Sequence, residues 1–293
     1  MAVAATATGR HVSARLIDVS LYETALGYNR PGKASDIGSG EGTVSVMRVH
    51  VTGATGYLGT ELVRLAPAAT RGRVEVRDRE AVAALLERVR PDVVIHTAYR
   101  QDGDGAREIV VDGSENIARA VVDVGARLVH LSSDVVFDGR KGGAYLEEDM
   151  PSPCTDYGQM KADAEERVLG IAPDAVLVRT SLIVGGPGHV PSKHELVAHD
   201  SSATFYENEI RSPIQVGDLA AALLELASLD VSGPLNVAGG DAVSRAELAE
   251  LIVGHAVRRA EAPPGRPLDC TLDSTRAVSL LRSELRGVRA VFA

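Results

Sequence analysis

The segment Val51-Thr-Gly53-Ala-Thr-Gly56-Tyr-Leu-Gly59 constrains this chain more than any other. It joins an apolar run, Arg48–Thr52, read as a strand, to Tyr57–Leu65, where Leu58, Leu62 and Leu65 recur at helical spacing. In such a junction the first glycine permits a tight turn, the second lets the backbone approach a pyrophosphate, and the third lets helix pack on strand. The helix N-terminus then turns its free N–H groups to the phosphates. Three glycines are a weak signal in a chain with 29 of them. Their place between a first strand and a first helix is what points to a dinucleotide.

Downstream the pattern alternates. Short apolar strands are expected at Val74–Val76, Val93–Thr97, Arg127–Leu131 and Ala175–Arg179. Helices are expected at Glu80–Arg90, Arg107–Val124, Tyr157–Leu169 and Gly217–Leu229, and a last one begins at the capping box Ser244-Arg-Ala-Glu247. Such alternation specifies an α/β fold with a doubly wound parallel sheet of the Rossmann type. Loop-rich stretches near 183–215 and 233–285 are expected over the carboxyl edge of the sheet, where ligands sit in such folds. The expected organisation is residues 47–180 mainly as a dinucleotide-binding domain and 181–293 mainly as a small substrate-binding region. One helix and one strand of the latter return to the sheet. Residues 1–46 show no sustained periodicity and no apolar core of signal-peptide length. They are expected to be a mobile or non-native extension, with Met47 as the functional start, or else a docking arm.

A net charge of −9 argues against a nucleic-acid or anionic-membrane surface, which would repel the chain. No apolar run approaches the length of a membrane span. Two cysteines, Cys154 and Cys270, are too few for a disulfide framework or a zinc site, and suit a reducing cytoplasm. No metal is expected; His189 and His194 are irregularly spaced.

Tyr157-Gly-Gln-Met-Lys161 places a phenol and an ammonium one helical turn apart. A cation beside a phenol lowers a pKa that starts near 10, which makes Tyr157 a general acid for a carbonyl oxygen gaining charge. Lys161 can also bond a nicotinamide ribose. Ser133 follows the Arg127–Leu131 strand at the carboxyl edge, where its hydroxyl can hold the same oxygen. Ribose-reading acids usually lie about 20 residues past the glycines, where Glu75 and Asp78 are candidates. Arg71 and Arg73 could instead favour a 2′-phosphate, so NAD and NADP both stay open. Asp134 either orients the loop or caps a turn. Arg211 either pairs with a substrate diphosphate or makes a salt bridge. His96 and Arg179 read as structural.

With these residues in place, the chain resembles the extended short-chain dehydrogenase/reductases, most of all the dTDP-4-dehydrorhamnose reductase branch. The resemblance rests on Gly53–Gly59, Pro91–Ala98, Leu131–Gly139, Glu148–Pro151, Tyr157–Lys161, Val178–Ser181 and Arg211–Ala220. It implies Ser133, Tyr157 and Lys161 as the catalytic set, with reduction of a 4-keto group on a nucleotide-linked deoxysugar by NAD(P)H. Cofactor contacts are expected from Gly53, Thr55, Gly56, Tyr57, Leu58 and Gly59, and further from Thr97, Ala98 and Lys161. Substrate contacts are expected from Ser133, Asp134, Tyr157 and Arg211. The expected partner is thus a small molecule, with a homodimer left open.

Four departures stand out. There is room for one strand where the family has two before Val93, in the segment that normally holds the adenosine ribose. Val110 stands in place of an active-site Asn, Val135 in place of a Tyr, and Leu182 in place of a Trp. A different sugar substrate is therefore open. So is a non-catalytic fate like that of the methionine adenosyltransferase regulatory subunit of the same branch. An epimerase or dehydratase fits less well, since Asp134-Val135 replaces the Asp-Glu usual in the dehydratases.

Overall fold

The structure, a computed structural model, describes residues 47–293. The expected N-terminal extension, 1–46, lies outside the described residues. Five parallel strands form the central sheet: β1 (Val49–Thr52), β2 (Val93–His96), β3 (Arg127–Leu131), β4 (Val176–Arg179) and β9 (Gly233–Asn236), in the order β1-β2-β3-β4-β9.

Side chains alternate across a strand, and both faces are apolar. Val51, Ile95, Val129 and Val178 face one side, under helices α1 (Tyr57–Leu65) and α6 (Val216–Leu226). Val94, Leu128 and Leu177 face the other, under α2 (Arg79–Val89), α3 (Gly113–Val124) and α4 (Asp156–Ile171). Two covered faces are what a parallel sheet needs, and the expected doubly wound α/β fold is what forms.

The sheet's β1 edge departs from expectation. Val74–Val76 is not a strand. The single residue Thr70 bridges His50 in parallel, accepting from Val51 N at 3.0 Å and donating to Val49 O at 2.8 Å. The Val76 carbonyl is instead held by the Asn116 amide at 2.9 Å, and Val76 packs on α3 where Gly113 carries no side chain. The segment is held against α3, and the bridge to β1 is made at Thr70 instead. The helix expected from Arg107 begins with a π-helical turn, Glu108–Asp112, before α3. There the Ser114 hydroxyl donates to the Val110 carbonyl at 2.5 Å, a back-bond that competes with the regular helical ladder.

The carboxyl edge carries the remaining small elements. β5 (Ile183–Val184) pairs with β8 (Ile214–Gln215) in parallel, and β6 (Phe205–Tyr206) with β11 (Arg259–Ala260) likewise. β7 (Ile210–Arg211) runs antiparallel to β10 (Val243–Ser244). Helix α5 (Lys193–Ala198) packs on α7 (Arg245–Val253). Helix α7 begins where its sequence cap predicts, the Ser244 hydroxyl accepting from Glu247 N at 3.0 Å. It is not the last helix, because two short ones, α8 (Thr275–Leu280) and α9 (Val288–Val291), follow. Among the described residues no helix is long and apolar enough to cross a membrane.

Candidate active site

A cleft of about 310 Å³ opens at the carboxyl ends of β1, β2, β3 and β4. Its floor begins with the glycine turn. Gly53 sits at φ +71°, and a Cβ there would lie 2.7 Å from Ala98 N and 2.8 Å from Thr97 Oγ1. At Gly59 a Cβ would fall 2.1 Å from the Gly53 carbonyl oxygen. The turn and the close helix–strand contact therefore demand glycine at both positions. Gly56 caps the start of α1, and Gly53, Gly56, Tyr57, Leu58 and Gly59 all line the cleft. Thr97 lines it too and ties the floor together by donating to the Thr52 carbonyl at 2.8 Å. Ala98 stands behind Gly53, and Thr55 is exposed on the turn outside the lining residues. This glycine cradle, open to the cleft at the N-terminus of α1, fits the pyrophosphate of a dinucleotide.

The opposite wall rises from β3 and α4. The Thr155 hydroxyl accepts from Gly158 N at 3.1 Å and starts α4, so that Tyr157 and Lys161 stand one turn apart, both on the cleft. Lys161 is buried, and its Nζ donates to the Leu131 carbonyl at 2.8 Å. Burial pulls its pKa down to about 8, against the Glu165 carboxylate, which pulls upward. Below it, Glu165 accepts from Ser132 Oγ at 2.5 Å and pairs with Arg179 at 2.7 Å, which clamps α4 to β3 and β4.

The Tyr157 phenol is pushed well above its ordinary range, mainly by burial, with Tyr99 and Asp134 adding to the rise. The expected lowering by Lys161 is absent here, because the ammonium is turned to Leu131. Ser133 lies on the cleft; its hydroxyl donates to Asp134 Oδ1 at 3.1 Å. Asp134 is buried, accepts from Ser181 Oγ at 2.6 Å, and stands 3.7 Å from Arg211 Nε. Burial raises its pKa; Arg211 and the two serine hydroxyls oppose the rise.

Other expected site residues are engaged elsewhere. Arg211 is buried and spends its guanidinium on the carbonyls of Ile210, Pro267 and Leu268. Glu75 is bound by Arg77, with contacts of 2.9 Å to both carboxylate oxygens. Asp78 caps α2, accepting from Ala81 N at 3.0 Å. Val110 is buried with Met160 and Ala164 and offers the cleft no polar group. Val135 and Leu182, the two departures near the expected sugar, do line it.

Sequence reasoning missed Tyr99, Gln101, Lys193 and His194, all of which line the cleft. Tyr99 had a signal, standing three residues past the end of β2 at the carboxyl edge. For the others the signal was indirect: Ser192-Lys-His-Glu195 is a capping box, formed in full at α5. The Glu195 carboxylate also accepts from Gly185 N at 2.7 Å and Gly186 N at 3.0 Å, which folds this segment over the cleft. Lys193 Nζ then reaches Gln101 Oε1 at 2.6 Å, and Tyr57 Oη donates to the Val190 carbonyl at 2.7 Å. Burial, with Arg245 and Lys193 alongside, holds His194 down at about 3.

The family model described as the RmlD substrate binding domain matches residues 47–282. The chain belongs to this family. The dTDP-4-dehydrorhamnose reductase of Mycobacterium tuberculosis (strain ATCC 25618 / H37Rv) is 36% identical over 220 residues, covering 68% of this chain and 72% of that one. The methionine adenosyltransferase 2 subunit beta of Rattus norvegicus is 30% identical over 234 residues, covering 69% and 70%. Among solved structures, a hypothetical dTDP-4-dehydrorhamnose reductase from Sulfolobus tokodaii superposes with a TM-score of 0.71 at 31% identity, covering 82% and 97%. The dTDP-4-dehydrorhamnose reductase of Bacillus anthracis, solved in complex with NADP, shares the fold at a TM-score of 0.75 and 24% identity, covering 84% and 97%. The match thus spans every residue that lines the cleft, from Gly53 to His194.

Proposed function

We propose that this chain is an NAD(P)H-dependent reductase of a keto group on a nucleotide-linked sugar, with Tyr157 as proton donor. The observation that carries the reading is the meeting of Ser133, Tyr157 and Lys161 in one cleft with the glycine turn. The bound cofactor would supply the hydride. Gly53, Gly56 and the α1 N-terminus would hold its pyrophosphate, and Lys161 its nicotinamide ribose. Tyr157, kept protonated at neutral pH by burial, would give its proton to the carbonyl oxygen as negative charge develops there. Ser133 would hydrogen-bond the same oxygen. The Lys161 ammonium, turned from Leu131 towards the phenol, would stabilise the phenolate left behind. Asp134 acts on the substrate only through Ser133 and Ser181 in this reading. Residues 47–180 would then mainly serve the cofactor and 181–293 mainly the substrate, in a cytoplasmic enzyme.

The test is Tyr157→Phe assayed with a 4-keto deoxysugar nucleotide. Turnover is expected to vanish while NADPH binding and the unfolding midpoint stay unchanged; retained turnover overturns the mechanism. The likeness to the methionine adenosyltransferase 2 subunit beta, with a buried apolar Val110 in place of an active-site Asn, favours a second reading as a non-catalytic subunit. A wild-type chain that binds cofactor yet reduces no keto sugar would select it.

A further inference from the structure

One pair on the α5 wall of the cleft takes no part in the Ser133, Tyr157 and Lys161 chemistry. His194 lines the cleft from α5, and Arg245 opens α7, the helix packed against α5. Arg245 Nη1 lies 3.3 Å from His194 Nδ1. A guanidinium has donors only, so Nδ1 is the acceptor and the proton of the neutral ring sits on Nε2. Arg245 is anchored for this contact at its own backbone, whose N–H donates to the Glu209 carbonyl at 2.9 Å.

The ring stays neutral. Burial, Arg245 and Lys193 together hold its pKa at about 3, so Nε2–H remains a donor at every physiological pH. That donor has no hydrogen-bond partner among the described residues. Arg245 makes no ion pair among them either. Of the two acids whose charge reaches it, Glu209 is bound by Arg266 Nη2 at 3.0 Å and Asp134 by Ser181 Oγ at 2.6 Å. Lys193, next to His194 in the chain, holds Gln101 Oε1 at 2.6 Å. The α5 wall thus offers the cleft one free neutral donor beside two cations. An oxyanion fits such a place better than a hydroxyl, because it only accepts and both charges stabilise it.

We infer that His194, held as its Nε2–H tautomer by Arg245, hydrogen-bonds a phosphate oxygen of the substrate, with Arg245 as the positioning residue. The inference rests on the nucleotide-linked substrate of the proposed function, whose phosphates supply that oxygen. In this reading neither residue touches the reacting carbonyl, so the pair sets substrate binding and leaves the chemical step alone.

The experiment follows the ring nitrogens of His194 by NMR of the full chain, labelled at histidine, while dTDP or thymidine is titrated. Steady-state kinetics with a 4-keto deoxysugar nucleotide run alongside. The wild-type ring should show the Nε2–H tautomer, and dTDP but not thymidine should shift its Nε2 resonance. His194→Phe keeps a ring of similar size but no donor. It should raise KM roughly ten- to a hundred-fold, as expected for one hydrogen bond to a charged group, with kcat unchanged. Arg245→Met should populate the Nδ1–H tautomer, raise KM, and add little to His194→Phe in the double variant, because the two act as a unit. Arg245→Lys should restore the wild-type tautomer. An Nδ1–H ring in the wild type overturns the inference, as does an unchanged KM in His194→Phe or a loss confined to kcat. If the wild type reduces no keto sugar, the reductase reading fails and the dTDP titration still decides the pair. A shifted Nε2 resonance then upholds the inference, and a ring indifferent to dTDP overturns it.

Discussion

Lys161 Nζ donates to the carbonyl of Leu131 at 2.8 Å, which ties the helix carrying Tyr157 to the end of the strand that leads into Ser133. The ammonium is thereby fixed at the base of the cleft, and burial brings its pKa down to about 8. A lysine in this state changes charge just above neutrality, where an ordinary lysine does not.

The proposed mechanism needs the ammonium to be charged. Lys161 holds its proton below about pH 8 and loses it above. The kcat/KM for keto-sugar reduction should therefore fall as pH rises through 8, approaching a tenfold loss per unit once past it. Lys161→Arg stays cationic throughout, and any activity it keeps should lack that alkaline limb. A wild-type profile flat to pH 9.5 would count against the assignment.

Glu165 and Arg179 form a buried pair at 2.7 Å, with side chains 5% and 3% exposed. Glu165→Ala would leave Arg179 uncompensated and remove the acceptor of Ser132 Oγ. Loss of one partner of a buried pair costs about 3–5 kcal/mol. Urea denaturation should show a drop of that size, with Glu165→Gln losing less because it keeps a hydrogen-bond acceptor. A change below about 1 kcal/mol would mean that the pair is not buried in solution.

Much of this arrangement was legible in the chain because local signals and the fold agree. Helix α1 runs from Tyr57 to Leu65 as its leucine spacing implies, and Gly125 ends α3 at φ +69°. Val93–His96 was readable as a buried strand because both its faces are covered. The edge was not readable: Val74–Val76 has strand-like composition, yet its carbonyl goes to Asn116, a partner forty residues away. Arg211 had the chemistry of a phosphate ligand, and only the placement of Pro267 and Leu268 shows its donors to be occupied. Lys193 and His194 reach the cleft through the contacts of Glu195 with Gly185 and Gly186, and tertiary contacts of that kind leave no periodic trace.

Gly59 faces the Gly53 carbonyl so closely that an added methyl would meet it at 2.1 Å, backbone against backbone. Gly59→Ala must push α1 away from the turn. It should destabilise the fold by about 3 kcal/mol and weaken NADPH binding, since the pyrophosphate cradle moves with the helix. Gly170→Ala is the control: its Cβ would meet nothing within 4 Å. In the last turn of α4 that change should be neutral or slightly stabilising. Equal effects of the two in thermal unfolding would refute the close-packing argument.

His96 and His130 stack at 5.3 Å between ring centroids beneath the cleft, and neither nitrogen of His130 has a partner. Burial holds His96 at about 3 and His50 at about 4, and puts His130 well below its usual range. All three are neutral in the folded chain and take up protons near pH 6.5 once unfolded. The folded values are depressed, so the stabilisation is fully present above pH 6.5. It is lost as pH falls from there towards the folded values, by up to about 1.4 kcal/mol per unit for each histidine. The urea midpoint should therefore drop clearly between pH 7 and pH 5, before most carboxylates titrate. His130→Leu removes one proton-binding site and two unpartnered polar atoms while keeping an apolar contact for His96. It should be at least as stable as the wild type at pH 7 and more stable at pH 5. If the wild type has the same midpoint at both pH values, the three rings are not buried as neutral groups.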